Sequence, residues 1–227
     1  MSAAGFPRAP GMAAAVAVAA LGLASAGGCD AFAYVLVKTV GPFVPEEEHQ
    51  AEFDLTGKSV LVLVDVQNPT VSSEHPRVET LLAEGVLETL KAHQATGPLV
   101  PVRSVQAARR LEADFPRWSV VKVGKYFNVD MVLHVQVFEF RIKDNPGSNV
   151  LRGYAEAAVR IVSPETGEQV WPMLAEARLV TAEAMPEPDL QKAAQYEEDL
   201  ARGLGEKIAR HFCTYKPSEL PLRPKVK

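Results

Sequence analysis

The chain has 227 residues and is 47% hydrophobic, 23% charged and 7% aromatic, an ordinary globular composition with length for one sizeable core. With 24 Lys+Arg against 28 Asp+Glu the net charge is −4, so no broad cationic field exists to neutralise phosphates, and neither nucleic acid nor an anionic membrane surface is an expected partner. Two cysteines exclude a disulfide scaffold and any multi-cysteine metal site.

Residues 1–28 carry one charged side chain, Arg8, then an apolar run over 12–23, then Ala24, Ser25, Ala26, Gly27 and Gly28. A basic start, a short apolar stretch and small residues are the order of a secretory signal. The apolar run is about a dozen residues where a spanning helix needs about 20. Residues 31–44 are apolar too, but Gly27-Gly28 and Asp30 interrupt a continuous helix through both stretches.

The small residues end at Cys29, and Ala26-Gly27-Gly28-Cys29 resembles a bacterial lipobox, in which the cysteine becomes the acylated first residue. Ala26 stands where Leu or a larger aliphatic residue is usual. Ordinary cleavage at Ala24-Ser25-Ala26, with Cys29 free or paired to Cys213, is the alternative. Palmitate-type chains on Cys29 would contribute about 0.8 kcal/mol per buried methylene. Without residues 1–28, which hold one Arg and no acid, the charges are 23 against 28, a net −5. Residues 29–57 read as a tether, because Gly41-Pro42, Val44-Pro45 and Glu46-Glu47-Glu48 resist packing. His49 beside those carboxylates is expected on a solvated face.

The folded domain is expected over 58–215, with a mobile tail over 216–227. Residues 60–64 form a β-branched apolar run, read as a central strand buried on both faces. Asp65-Val66-Gln67-Asn68-Pro69 supplies turn chemistry, and a helix is predicted from near Pro76, with Val78, Leu81, Leu82, Gly85, Val86 and Leu90 on one face. A short strand follows over 99–102, then a helix capped by Ser104. Another helix is predicted over 119–127, ending at Asn128. Residues 131–142 and 151–162 alternate as paired strands, and 163–167 is a tight turn. Residues 169–181 return as an antiparallel strand interrupted near Pro172. A final helix spans 189–215. The expected fold class is α/β with α+β character: a mixed sheet with an antiparallel meander, packed by helices.

The motifs support no chemistry. Thr56-Gly57-Lys58-Ser59 lacks the earlier glycine of a phosphate-binding loop, Glu52 standing in its place, and precedes its strand. No two of His49, His75, His93, His134 and His211 lie one helical turn apart. There is no Gly-x-Ser-x-Gly elbow. His134 reads as a buried polar group and Cys213 as a small core residue. No catalytic, cofactor-binding or metal-binding residue is therefore assigned, and no cofactor or enzymatic activity is expected. Trp118, Tyr126, Tyr154 and Trp171 are the candidate partner contacts, since aromatic side chains with a polar handle anchor interfaces.

Lys58-Ser59-Val60-Leu61-Val62-Leu63-Val64, Asn128-Val129-Asp130 before the long strand, and Thr166-Gly167-Glu168 after the next resemble phrases in periplasmic α/β domains of two lipoprotein groups. These are the outer-membrane activators of peptidoglycan synthases and the curli secretion-channel subunit, with the N-terminal domain of the Tol-Pal propeller protein more distantly similar. The resemblance covers about residues 58–215. Two departures stand out: residues 144–150 are too few for a membrane-spanning hairpin, whose strands need about 9–11 residues each, and residues 30–56 are shorter than the arm that crosses the periplasm in synthase activators. The combined expectation is a non-catalytic envelope lipoprotein, periplasm-facing and held to the outer or inner membrane through acylated Cys29. Its α/β domain would bind an envelope protein in cell-wall synthesis or secretion assembly, with self-association open. The competing expectation is a soluble exported small-ligand binder using Asp65, Gln67 and Asn68 at a strand end.

Overall fold

The computed structural model describes residues 48–216; residues 1–47, with Cys29, and 217–227 lie outside them. In chain order come β1 (Val60–Val66), α1 (Pro69–Glu74), α2 (Val78–Ala92), α3 (Val102–Leu111), α4 (Val120–Phe127), β2 (Met131–Arg141), β3 (Tyr154–Val162), β4 (Gln169–Trp171), β5 (Arg178–Glu183) and α5 (Ala193–Arg210). Short 3-10 turns sit at Phe115–Arg117 and Leu190–Lys192. The fold is α/β. β1 runs parallel to β2, β3 is antiparallel to β2, and β4 and β5 both pair antiparallel with the outer edge of β3.

β1 is buried along its apolar run, as its composition predicts, but it is not central. It ends the strand order, and beyond it the backbone makes a single parallel bridge, Val60 to Leu99. The strand expected over 99–102 is reduced to that bridge because Pro98 and Pro101 have no N–H to extend a ladder. Helices on both faces bury β1 in spite of its edge position.

Local side-chain capping sets the starts of α1 and α4. Asn68 belongs to a cap instead of a turn: its Oδ1 accepts from the Thr70 N–H at 3.0 Å, and Pro69 opens α1. Pro76 precedes α2 and is outside its first turn. Ser104 lies inside α3, whose cap is Pro101. Ser119 caps α4 by accepting from the Lys122 N–H at 3.2 Å, and Asn128 closes it at a φ of 51°. Asp189 caps the 3-10 turn, so α5 begins four residues later than the periodicity predicts.

Residues 48–57, grouped by composition with the tether, pack on the folded unit. His49 and Tyr215 exchange backbone hydrogen bonds of 2.9 and 3.0 Å, the Glu52 N–H donates to the His211 carbonyl at 2.7 Å, and Leu55 is fully buried. The apolar side chains of 48–57 are Ala51, Phe53 and Leu55; composition hides how much the last contributes.

The main core lies between one sheet face and α2 with α5; a smaller one lies under α3 and α4. At the α2–α5 crossing two glycines face opposite backbones. A Cβ on Gly205 would lie 2.5 Å from the Leu82 carbonyl oxygen and 2.9 Å from the Val86 nitrogen, and one on Gly85 would lie 2.8 Å from the Arg202 carbonyl oxygen. Arg202 then spans the pair, donating to Glu84 and Glu88 at 2.8 Å each and to Glu198 at 3.0 Å. Burial alone would lower its pKa; the hydrogen bonds to Glu88 and Glu198 outweigh that and raise it.

In an open helix position Gly→Ala stabilises by about 1 kcal/mol. Gly205→Ala is expected to do the opposite, destabilising by about 1–3 kcal/mol through overpacking. Urea denaturation measures it, and an unchanged or higher midpoint would contradict so close a crossing.

Candidate functional site

Strand alternation sends Leu133, Val135, Ala157, Val159 and Val180 to the main core. On the opposite face Leu61, Leu63 and Val132 are covered by Val105 and Ala108 of α3 and Val123 of α4. That cover reaches β1 and the start of β2. Farther across the face lie Gln136, Tyr154, Glu156, Arg160, Leu179 and Thr181, all partly or largely exposed, with exposed Phe138 at the bulge where the β2–β3 register shifts between Val137 and Glu139. Phe138 is 42% and Leu179 61% exposed, and Ala158 lies between Gln136 and Leu179 in register. This open, shallow face is the candidate interaction surface.

A polar row marks where the cover stops. His134 is buried, with Nε2 2.8 Å from an Asp65 oxygen of β1, while Arg160 Nε on β3 donates to its Nδ1 at 3.1 Å. Arginine cannot give up its proton, so Nδ1 must accept and Nε2 must carry the hydrogen that Asp65 receives. Both ring nitrogens are thereby occupied, and the pair has no geometry for activating a nucleophile. Arg109 of α3 reaches round the outer edge of β1, donating to the Val64 carbonyl at 2.7 Å, to Asp65 at 3.1 Å and to Glu79 of α2. It ties helices from both sheet faces to the end of one strand.

Beside this row is an open cleft of ≈ 380 Å³ with Asp65, Gln67, Glu79, Arg109 and Trp118 in its walls. Two of the three residues expected for a small ligand, Asp65 and Gln67, stand there; Asn68 is committed to its cap. Arg109 already pairs with Asp65 at 3.1 Å and with Glu79, so a charged ligand would have to displace those bonds. Among the described residues no group of three or more His, Cys, Asp or Glu could hold a metal ion, and no helix is long and apolar enough to cross a membrane.

The four aromatic candidates separate. Tyr154 is on the open face, its hydroxyl donating to Glu156 at 2.7 Å, which raises its pKa, with Arg141 4.8 Å over the ring. Tyr126 is exposed on α4 and meets Trp118 at 5.1 Å, while Lys122 lies 4.1 Å over the Trp118 ring. Those two form a cluster away from the open face. Trp171 is only 6% exposed, edge-on to Phe212 at 4.9 Å, and is a core residue instead of a contact. Sequence reading missed Phe138, because strict alternation puts it on one side with Phe140, and only the bulge between Val137 and Glu139 separates the exposed Phe138 from Phe140 in the main core. It also missed Arg109 and Arg160, for which no local pattern exists. The lipidation candidate Cys29 lies outside the described residues.

No family model matches the chain, and no curated protein matches it in sequence. Solved structures similar to it include lipoprotein GNA1162 from Neisseria meningitidis, at 15% identity over 60% of this chain and 88% of that one, with a TM-score of 0.41. The PelC dodecamer from Paraburkholderia phytofirmans aligns at 13% identity over 74% of this chain and 98% of that one, TM-score 0.39. The LpoB C-terminal domain from Salmonella enterica aligns at 15% over 64% and 93%, TM-score 0.34. Bacterial lipoproteins, the class that the sequence phrases resemble, are thus among its structural neighbours.

Cys213 is fully buried, and burial pushes its thiol up to about 11. At pH 8 it is expected to resist Ellman's reagent in the folded chain and to react in urea; rapid native reaction would show an accessible thiol. Because the folded value exceeds that of a free thiol, about 8.5, the stability gained by keeping it neutral is full below that pH and is lost as pH rises towards 11.

Proposed function

We propose that this protein is a non-catalytic envelope lipoprotein, anchored to a membrane through acylated Cys29, whose α/β domain binds a protein partner on the open face of β2, β3 and β5. The observation that carries the reading is that face: Phe138, Tyr154 and Leu179 sit on a rigid sheet with Gln136, Glu156 and Arg160 around them, and no helix among the described residues covers it. Apolar anchors inside a polar rim are the anatomy of a reversible protein interface. The occupied ring nitrogens of His134 and the buried thiol of Cys213 favour binding over catalysis. The signal-like residues 1–28 and the lipobox-like Ala26-Gly27-Gly28-Cys29 support the anchor and a periplasm-facing location. A cell-wall enzyme or a secretion assembly is the partner class that the sequence resemblance favours.

Cys29→Ser is expected to move the protein from the membrane fraction to the soluble one; retention after a salt wash would count against the acyl anchor. A photo-crosslinker at Thr181 is expected to capture a discrete envelope protein that one placed at exposed Leu111 does not. Phe138→Asp with Leu179→Asp should abolish that capture, weakening binding by roughly 30-fold or more, while shifting stability by no more than about 0.5 kcal/mol per site. Equal capture from both positions would sink the proposed face.

A further inference from the structure

The outer strand beside β3 is broken in a way that pairing alone does not require. Trp171 of β4 pairs with Ile161 and Arg178 of β5 pairs with Val159, so residues 172–177 stand opposite Arg160 alone. The surplus leaves the sheet as a finger. Its tip carries Met173, 88% exposed, and Leu174, fully exposed. The finger is braced from inside: the Gln169 side-chain amide donates to the Pro172 carbonyl and to the Ala175 carbonyl, each at 2.8 Å. Pro172 itself has no N–H.

Two aliphatic side chains held out on a braced backbone are costly in water and gain nothing from the domain's own core. The Pro172 and Ala175 carbonyls are satisfied, whereas among the described residues the Met173 and Leu174 peptide groups between them have no hydrogen-bond partner, so the tip backbone stays at the wet headgroup level and only its side chains reach the acyl chains. Two adjacent apolar side chains, fully out of the domain's own core and next to the point where the chain from the anchor enters, suit a lipid interface.

The base of the finger identifies which end of the domain carries it. Glu52 accepts from His211 at 2.7 Å and lies 3.8 Å from Arg178, and the Trp171 ring is 5.8 Å from His211. His49, three residues before Glu52, pairs with Tyr215. The chain arriving from Cys29 therefore joins the folded unit beside the finger.

We infer that residues 172–177 are a membrane-docking finger, which places Met173 and Leu174 in the lipid interface and orients the domain against the bilayer that holds its anchor. The inference rests on the lipoprotein reading, because two side chains are far less than the acyl chain that by itself gives only marginal binding. Glu48, Glu52, Glu176 and Glu206 accompany Arg178, Lys207 and Arg210 at this end, and the chain from Cys29 has net charge −5. Insertion is accordingly apolar and insensitive to salt. The open face of β2, β3 and β5 remains available to a partner.

The test labels the full chain, purified from membranes with its native modification, at Leu174→Cys with an environment-sensitive fluorophore. Cys213 is buried and an acylated Cys29 is blocked, so the new thiol is the one labelled. The protein is reconstituted in phosphatidylcholine vesicles with and without brominated acyl chains, with a label at Leu111→Cys as the water-exposed reference. The expected result is a blue-shifted emission at 174 that brominated tails quench and that high salt leaves unchanged, against a water-like, unquenched signal at 111. Intact mass of the same sample reads the anchor separately. Acyl mass with a water-like signal at 174 overturns the finger and leaves the lipoprotein standing; absent acyl mass overturns the anchor and the docking with it. A blue shift without quenching that grows with protein concentration means self-association at the tip and also overturns the inference.

Discussion

The approach of Gly85 and Gly205, where α2 and α5 cross with backbone against backbone, is the constraint on which the rest of the domain depends. A side chain at either position would meet a carbonyl oxygen or an amide nitrogen within 3 Å, and tight packing transmits such a displacement through the interior. With the crossing in place, Arg202 meets three carboxylates across the helix pair, and Leu200, Leu204 and Ile208 reach the sheet. The end of α5 then brings Phe212 against Trp171 and Tyr215 beside His49, so one contact organises both ends of the folded unit.

The same arrangement creates the uneven sheet. The two longest helices, of 15 and 18 residues, are spent on one face, leaving helices of 10 and 8 residues for the other. At a rise of about 1.5 Å per residue those cover two strands and no more. The row Asp65–His134–Arg160 lies along the boundary, where a buried imidazole can keep both nitrogens bonded because one neighbour is a carboxylate and the other a guanidinium. Exposure of Phe138, Tyr154 and Leu179 follows from this geometry. Their chemistry alone would have permitted a core.

Elements with strong local determinants were legible. The helix between Ser119 and Asn128 could be read from its caps, and the long strand over Met131–Arg141 from its period of two. The Pro172 interruption was visible as a break in an antiparallel strand, though the size of the excursion was not, because the number of residues leaving a sheet depends on which partners the flanking strands find. The open face was half legible. Alternation assigned Tyr154 and Glu156 to the side opposite Ala155 and Ala157, but it could not say whether a helix would cover that side. Trp171 shows the converse: its chemistry suits an interface, and only the position of Phe212, distant in sequence, consigns it to the core.

By itself, the order of residues determined the α/β class, most of the strands and helices though neither α1 nor the reduction of 99–102 to a bridge, and an N-terminal segment ending in a small-residue motif at Cys29. These are local properties, decided by hydrophobic period, capping chemistry and proline, and they act over a few residues. The tertiary structure decided that β1 lies at an edge, that residues 48–57 join the fold, that two glycines set a helix crossing, and that Met173 and Leu174 stand out beside the arriving chain. Each of those depends on which distant segments meet, and burial is a property of the assembled surfaces, beyond any one stretch of sequence.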